Sequence, residues 1–560
     1  MKPTYDDWRA QVEKELAGAP FEKLVTRAEG LEIQPLYTER VDSGVPGVAP
    51  FVRGATATAA PFELCMRSGD SEAIEDDLAG GTDALWFAEG DRKALEAALG
   101  HDLAVVMDIA GTPKIEHFKA VMKARRAWLG VDPIGELWAS ELEASAVPRQ
   151  LNEVAAFARR VAEQRTSGML GAPGHEVRAV RISSVGFHAA GADAADELAL
   201  ILASGVAYLR ALVQEGLDDA AAARSLWVQI AVGRDTFGEL CKLRALRLVW
   251  WKLLAAAGVT DLGLDAIHAV CSPRTQSVRD PSVNMLRVTT EVFAAVLGGA
   301  QLVTPAAFDA AFGTPSALGR RTARNTALVL REESHLGRVL DAGGGSYYLE
   351  ARTATLAREA WSRFQAIERD GGIVVAIKAG SLRQRLDAAW HVRAAAIAVR
   401  KEPVLGTSEF ANPREKLPAA LPEVNGPGHR DGEAFEALRA RVEGSREVVL
   451  VTLGPASEYR GRLGYAQAFF ATAGLATRED GEHTPQAPDQ IACICGSDER
   501  YATEAAACAT KLRAAGWAHV VLAGRPGALE KPLKAAGVDR FIFVGCDVIA
   551  TLNALTGGAA

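Results

Sequence analysis

Cysteine is scarce in this chain, seven in 560 residues and none in a Cys-x-x-Cys pair. That excludes a disulfide scaffold and suits a reducing cytosol. Cys493 and Cys495 alternate on an apolar run and read as small core residues. No apolar run reaches the roughly 18 residues of a membrane span. The opening residues, MKPTYDDWRAQVEKELAG, lack a signal-peptide core and are too acidic for a transit peptide, so a cytoplasmic location is expected. There is no basic stripe, and a net charge of −8 argues against a nucleic-acid surface.

What the chain does have is an ordinary globular composition, 49% hydrophobic with mean hydropathy near zero. Its length exceeds the range of one core, which predicts two or three domains. A first helix is expected over 6–16, capped by Asp6 or Asp7, with Trp8, Val12 and Leu16 on one face. Ahead of the first domain, such a helix suits docking to a partner, to a distant domain or to the body of its own chain.

Local information is densest over residues 266–350. The apolar run 266–271, closed by Ser272-Pro273, predicts a buried strand. A polar loop carrying Arg274 follows. Asp280-Pro281 then opens a helix with Val283, Leu286, Val288, Val292 and Val296 on its core face, stopped at Gly298-Gly299. Residues 301–304 predict the next strand. Strand, loop, helix, glycine stop and strand make the grammar of a parallel α/β barrel or a doubly wound sheet. In a barrel, polar residues just after a strand face the functional mouth. Upstream, helical spacing of Leu240, Leu243, Leu246, Trp250 and Leu253 leaves Arg244 and Arg247 on a solvated face. Short strands are also expected at 84–87, 103–107, 175–184 and 226–231, with a helix over 94–99. Glu332, Glu333 and His335 fit no usual metal spacing.

From 401 to 432 the chain becomes rich in proline, glycine and charge, the character of a linker. Beyond it, strands at 448–453, 491–495, 520–523 and 541–544 alternate with helices at 463–473, 502–515 and 529–536. That alternation predicts a small doubly wound sheet.

The motifs themselves carry a resemblance. I-x-P-L-Y-T at Ile33 and P-G-x-x-P-F-x-R-G at Pro46 are followed, from Arg274, by R-x-x-S and D-P-x-V-N-M-L-R-x-T. Then come A-A-V-L-G-G-A, F-D-x-A-x-G, R-x-A-R-N-T-x-L-V-L-x-E-E-S-H-L-G-R-V-x-D and G-G-S-Y-Y-x-E. This order resembles the methylmalonyl-CoA mutase family. The resemblance implies an α/β architecture: an N-terminal helical arm (1–30), a (β/α)8 TIM barrel (31–400), a linker (401–440) and a degenerate cobalamin-binding-type, flavodoxin-like doubly wound domain (441–560).

Departures from the family's catalytic chains converge on its chemistry. Those chains continue past the R-G into an aromatic, arginine-rich hairpin that grips coenzyme A. Here residues 53–62 read Arg-Gly-Ala-Thr-Ala-Thr-Ala-Ala-Pro-Phe, which offers neither bidentate phosphate contacts nor an aromatic wall. The family's T-I-Q-N-D motif is not found after Trp128-Leu129-Gly130-Val131-Asp132-Pro133. His188 matches the histidine that meets the thioester carbonyl, but Phe187 replaces the tyrosine before it. It reads either as a carbonyl polariser or as a structural hydrogen-bonding group. Arg274 matches an arginine near coenzyme A and reads either as a ligand contact or as a salt-bridge or interface residue. In the tail, the family's D-x-H-x-x-G places an imidazole below cobalt and an aspartate behind it. Here Ala456 stands at the aspartate, Glu458 at the histidine, and Gly461 alone remains.

The resemblance therefore implies a non-catalytic small (β) subunit of a heterodimeric methylmalonyl-CoA mutase. No cofactor is expected on this chain, with no metal and no catalytic residue of its own. Adenosylcobalamin would sit in the large (α) subunit, and a GTPase chaperone is a further candidate partner. The alternatives are an active acyl-CoA mutase with atypical cobalamin binding, with Glu458 or no lower ligand and His188 at the substrate, and a regulatory docking protein for that chaperone.

Overall fold

The computed structural model describes residues 4–88, 95–96, 98–99, 101–121, 124–166, 176–415, 428–442, 447–479, 485 and 490–557. Part of the expected helix at 94–99, the first residue of the strand expected at 175–184 and residues 416–427 of the linker lie outside these. Helix α1 (Tyr5–Glu15) is capped by Thr4, not by Asp6 or Asp7. The Thr4 hydroxyl accepts from the Asp7 N–H, and the Asp7 carboxylate accepts from the Thr4 N–H in return. No residue of α1 is buried, although Trp8 meets Phe21 edge-on at 6.0 Å.

After a hairpin of β1 (Thr26–Ala28) and β2 (Leu31–Ile33), eight parallel strands close into a barrel. They are β3 (Glu63–Arg67), β4 (Ala84–Phe87), β5 (Ala104–Ile109), β6 (Arg126–Val131), β7 (Glu176–Ser183), β8 (Leu226–Val232), β9 (Ile267–Cys271) and β10 (Leu302–Thr304). Each neighbours the next in sequence, and β10 returns to β3 with Leu302 opposite Glu63. This is the (β/α)8 arrangement.

Strand alternation sorts the side chains into two cores. Leu64, Leu85, Val105, Leu129, Ile182 and Val228 face outward into the helix layer. That layer includes α2 (Ala194–Gln214), α3 (Thr236–Ala256), α4 (Pro281–Leu297), α5 (Tyr347–Arg369) and α6 (Ser381–Ala398). Cys65, Trp86, Val106, Trp128, Trp227 and Leu302 form a separate inner cluster. The Trp128 and Trp227 rings lie 5.4 Å apart, and His268 lies 5.4 Å from Trp86. Three indoles and an imidazole therefore cluster inside the bore.

Two sequence expectations on the helices change. Arg244 and Arg247 are buried, because α3 packs against α5 on the side that its leucines leave open. Arg244 Nε lies 2.8 Å from Asp341, its Nη2 lies 2.8 Å from Glu350, and Arg247 donates to the Val52 carbonyl at 3.2 Å. On α4, Leu286 is exposed while Asn284, Arg287 and Glu291 share the buried face with Val288, Val292 and Val296. Asn284 sets that rotation by donating to the carbonyls of Ser277 and Phe308, each at 2.8 Å.

Helix α7 (Glu433–Val442) ends the described linker, which ion pairs and hydrogen bonds hold against α6 and the loops after β8 and β9. Asp431 meets Arg393 at 2.8 Å and Arg234 at 3.3 Å. Glu436 accepts from the Ser277 hydroxyl at 2.8 Å and the Val278 N–H at 3.0 Å. Beyond it, β11 (Glu447–Thr452), β12 (Ala476–Glu479), β13 (Ile491–Cys495), β14 (His519–Ala523) and β15 (Arg540–Ile542) form a parallel sheet in the order β12-β11-β13-β14-β15. Val448, Leu450, Cys493 and Cys495 pack on one face, and Val449, Val451, Ala492 and Ile494 on the other. Helix α8 (Ala456–Ala471) follows β11, and α9 (Ala506–Ala514) and α10 (Glu530–Ala535) flank β14 in sequence. Among the described residues no helix is long and apolar enough to cross a membrane.

Candidate functional site

Strand β7 delivers His188 into the barrel wall through a short helix, Val185–Ala189. The residue is wholly buried, with Nδ1 2.9 Å from Glu197 Oε1 and Nε2 2.7 Å from the Ser272 hydroxyl. Glu197 comes from the first turn of α2. Its Oε1 also lies 2.9 Å from Lys242 Nζ, and its Oε2 accepts from the Ser184 hydroxyl at 2.8 Å. Burial opposes charge on Glu197, but Lys242 and His188 outweigh it and hold the carboxyl down at about 2. Against an ionised carboxylate, Nδ1 carries the proton and Nε2 accepts from Ser272. Burial first, and the Arg274 guanidinium second, push His188 down to about 4, so the ring is neutral at neutral pH.

Arg274, in the turn after β9, is the second sequence candidate, and the structure brings it to the same knot. Its Nη1 donates to the carbonyls of His188 and Ala192, each at 3.0 Å. The two candidates thus share one buried network with Ser272, Glu197 and Lys242. Arg274 makes these contacts to backbone carbonyls, and both ring nitrogens of His188 are occupied.

The barrel's C-terminal mouth is built from residues that sequence reasoning did not single out. A chain of hydrogen bonds crosses it, from the Ser183 hydroxyl to Gln229 at 3.1 Å, Gln229 to His268 at 3.3 Å and His268 to Thr304 at 2.7 Å. Tyr208 donates to Asp132 at 2.6 Å, and Arg181 pairs with Asp108. Two cavities open here. One of about 480 Å³ lies between Trp138, Phe187, Arg181 and Asp132, and one of about 540 Å³ lies over Met66, Trp86 and Val270. His188 lines neither. Period-two alternation in β4, β6 and β8 was the signal that places Trp86, Trp128 and Trp227 inside.

After β11 the stretch that matches D-x-H-x-x-G is helical. Ala456, Glu458 and Gly461 occupy the first turns of α8, which starts directly after Pro455. Gly454, at φ +80°, makes the bend from β11; a Cβ there would lie 2.7 Å from Glu458 Oε2. Glu458 is held by Arg500 Nε at 2.8 Å, and the same guanidinium reaches Glu504 at 2.6 Å. Nothing stands within 4 Å of a Cβ built on Gly461, so no close approach demands glycine there. In the turn after β14, Arg525 lies over Phe543 at 4.9 Å and donates to the Val544 carbonyl at 3.1 Å. Among the described residues no three His, Cys, Asp or Glu side chains gather to hold a metal ion. Glu332, Glu333 and His335 are all exposed.

A closed parallel barrel, its bore filled, tied by an ion-paired linker to a parallel α/β sheet, defines a two-unit α/β protein of the barrel-plus-sheet class. The family model described as methylmalonyl-CoA mutase matches residues 171–456. The "Methylmalonyl-CoA mutase small subunit" of Streptomyces virginiae is 36% identical, over 98% of this chain and 96% of its own length. The protein of that name from Propionibacterium freudenreichii subsp. shermanii is 32% identical, over 99% and 94%. A "Methylmalonyl-CoA mutase" of Rhizobium meliloti is 29% identical, over 73% and 64%. The chain belongs to the methylmalonyl-CoA mutase family, a family of isomerases.

Proposed function

We propose that this chain is the small, non-catalytic subunit of a heterodimeric methylmalonyl-CoA mutase. In that enzyme the large subunit holds adenosylcobalamin and coenzyme A and interconverts methylmalonyl-CoA and succinyl-CoA. The observation that carries the reading is the plugged bore. Trp86, Trp128 and Trp227 occupy the space through which a pantetheine arm would have to pass.

Two further observations support it. His188 spends both nitrogens on Glu197 and Ser272, which leaves none for a thioester carbonyl. The first turn of α8 does not fit a corrin's lower ligand. Its only side chain at the histidine's place is the Glu458 carboxylate, drawn onto Arg500, with a methyl group at Ala456 where an orienting partner would stand. No step of the isomerisation is therefore assigned to residues of this chain.

On this reading the C-terminal sheet is a flavodoxin-like relic of a cobalamin-binding domain, which its strand order supports. The units run 1–30, 31–400, 401–440 and 441–560, and the assembly works in the cytoplasm. An obligate interface between like folds buries roughly 2,000–5,000 Å². Co-expression of this chain with a large mutase subunit, followed by size-exclusion chromatography, is expected to give a stable 1:1 species. A chain that elutes alone contradicts the reading, and one retained only by the GTPase chaperone favours a docking role.

A further inference from the structure

Residues 272–277, the turn after β9, help to hold the described linker to the barrel. The Arg274 carbonyl accepts from the Asp431 N–H at 2.8 Å. The Ser277 hydroxyl lies 2.9 Å from that of Thr407 and 2.8 Å from Glu436. Ser272, Thr275 and Ser277 are all buried, so the turn is held by bonds to protein and not to bulk water. One of those bonds is contested. The Thr275 hydroxyl lies 2.9 Å from the Ser272 carbonyl, where it closes the turn, and 2.6 Å from Oε1 of Glu291 on α4. A hydroxyl has one proton to donate, so the two acceptors compete for it.

The charge on Glu291 decides that competition. A hydrogen bond to an ionised acceptor is roughly twice as strong as one to a neutral acceptor. Neutral, Glu291 shares the hydroxyl with Ser272; ionised, it takes it. Its cationic neighbour Arg287, one turn back on α4, spends its guanidinium elsewhere, on Asn284 at 2.6 Å and the Leu405 carbonyl at 2.5 Å. The remaining groups that face Glu291 are the Cys271 thiol on β9 and Glu239 on α3, and Glu239 is itself bound to Lys242 at 2.6 Å. Burial pushes the Glu291 carboxyl up to about 8, so its charge changes just above neutral pH.

We infer that Glu291 works a latch on the linker: on ionising, it draws the Thr275 hydroxyl away from the Ser272 carbonyl, the turn 272–277 slackens, and residues 428–436 loosen from the barrel. The latch is shut while the carboxyl is neutral and opens as pH rises past its changeover. It belongs to this chain alone and does not depend on the subunit reading.

Hydrogen–deuterium exchange of the full chain at about pH 6 and about pH 9 tests it, read at the amides of residues 428–436. Each variant is compared with the parent at the same pH, which cancels the intrinsic pH dependence of exchange. Glu291→Gln keeps a neutral acceptor at both values. It should match the parent at the lower pH and exchange about fivefold more slowly at the higher one, the effect of one hydrogen bond. Thr275→Val keeps the side chain's shape but has no proton to lose to Glu291, so the pH-dependent loosening of the linker should vanish. Thr275→Ser, which keeps the hydroxyl, should respond as the parent does. The inference is overturned if Glu291→Gln and the parent exchange alike at both values. It is also overturned if Thr275→Val loosens with pH as much as the parent, since ionisation would then act on the whole fold and not through the hydroxyl.

Discussion

Glu291 illustrates at the scale of one residue how this fold keeps polar groups inside. It is fully buried on α4, with Oε1 accepting from the Thr275 hydroxyl at 2.6 Å, and burial pushes its carboxyl up to about 8 from an ordinary 4.5. The folded chain thus keeps this proton across a range in which the unfolded chain has lost it. Stability from this group is intact below about 4.5 and drains away as pH rises towards about 8. Glutamine has no proton to lose, so Glu291→Gln should gain on the parent by a few kcal/mol between those limits. Paired thermal melts at the two ends of the window measure this, and a pH-independent difference would contradict it. Burial of this kind was not legible in the sequence. Helical spacing alone assigned Arg244 to solvent, whereas its partners Asp341 and Glu350 lie about a hundred residues further on. A period-3.6 pattern shows which face is apolar but not which distant carboxylates cover the opposite one.

At the scale of elements, strand alternation was legible and decided the most. The runs containing Trp86 and Trp227 read as strands, the run containing Trp128 did not, and in all three the register turns the indoles into the bore, where Trp227 also donates to the Leu129 carbonyl at 2.8 Å. Trp227→Ala should cost about 3–5 kcal/mol, since the closed strands around it cannot collapse into the space. Urea unfolding gives the number, and a loss below about 1 kcal/mol would mean that the bore is not a packed core. The elements that escaped were those with weak patterns. Strand β12, on the sheet's edge, is short, and none of its residues is buried, so it lacked an apolar run. The start of α8 escaped because Gly454-Pro455 reads as a loop; proline then supplied the N-cap of a helix that carries Ala456 and Glu458.

For the molecule as a whole, the connection between barrel and sheet matters most. Composition marked 401–432 as a linker, but the described part of that segment is fastened by charge to α6 and to the loop after β8. Burial opposes ionisation of Asp431, yet Arg393 and Arg234 outweigh it and hold the carboxyl far below its usual range. Asp431→Ala would remove the nearest carboxylate from Arg393 and Arg234, leaving them Glu402 at 3.5 and 3.6 Å, and should destabilise the chain by up to about 3 kcal/mol. It should also speed proteolysis between the two units; cleavage at the parental rate would show that the ion pairs do not secure the linker. The central claim, that this chain kept a family fold while filling the passage its chemistry needs, is tested most directly by one assay. The full chain, purified without any large subunit, is incubated with adenosylcobalamin and methylmalonyl-CoA, and succinyl-CoA is measured. No succinyl-CoA above the cofactor-free control is expected; turnover by the lone chain would contradict the account.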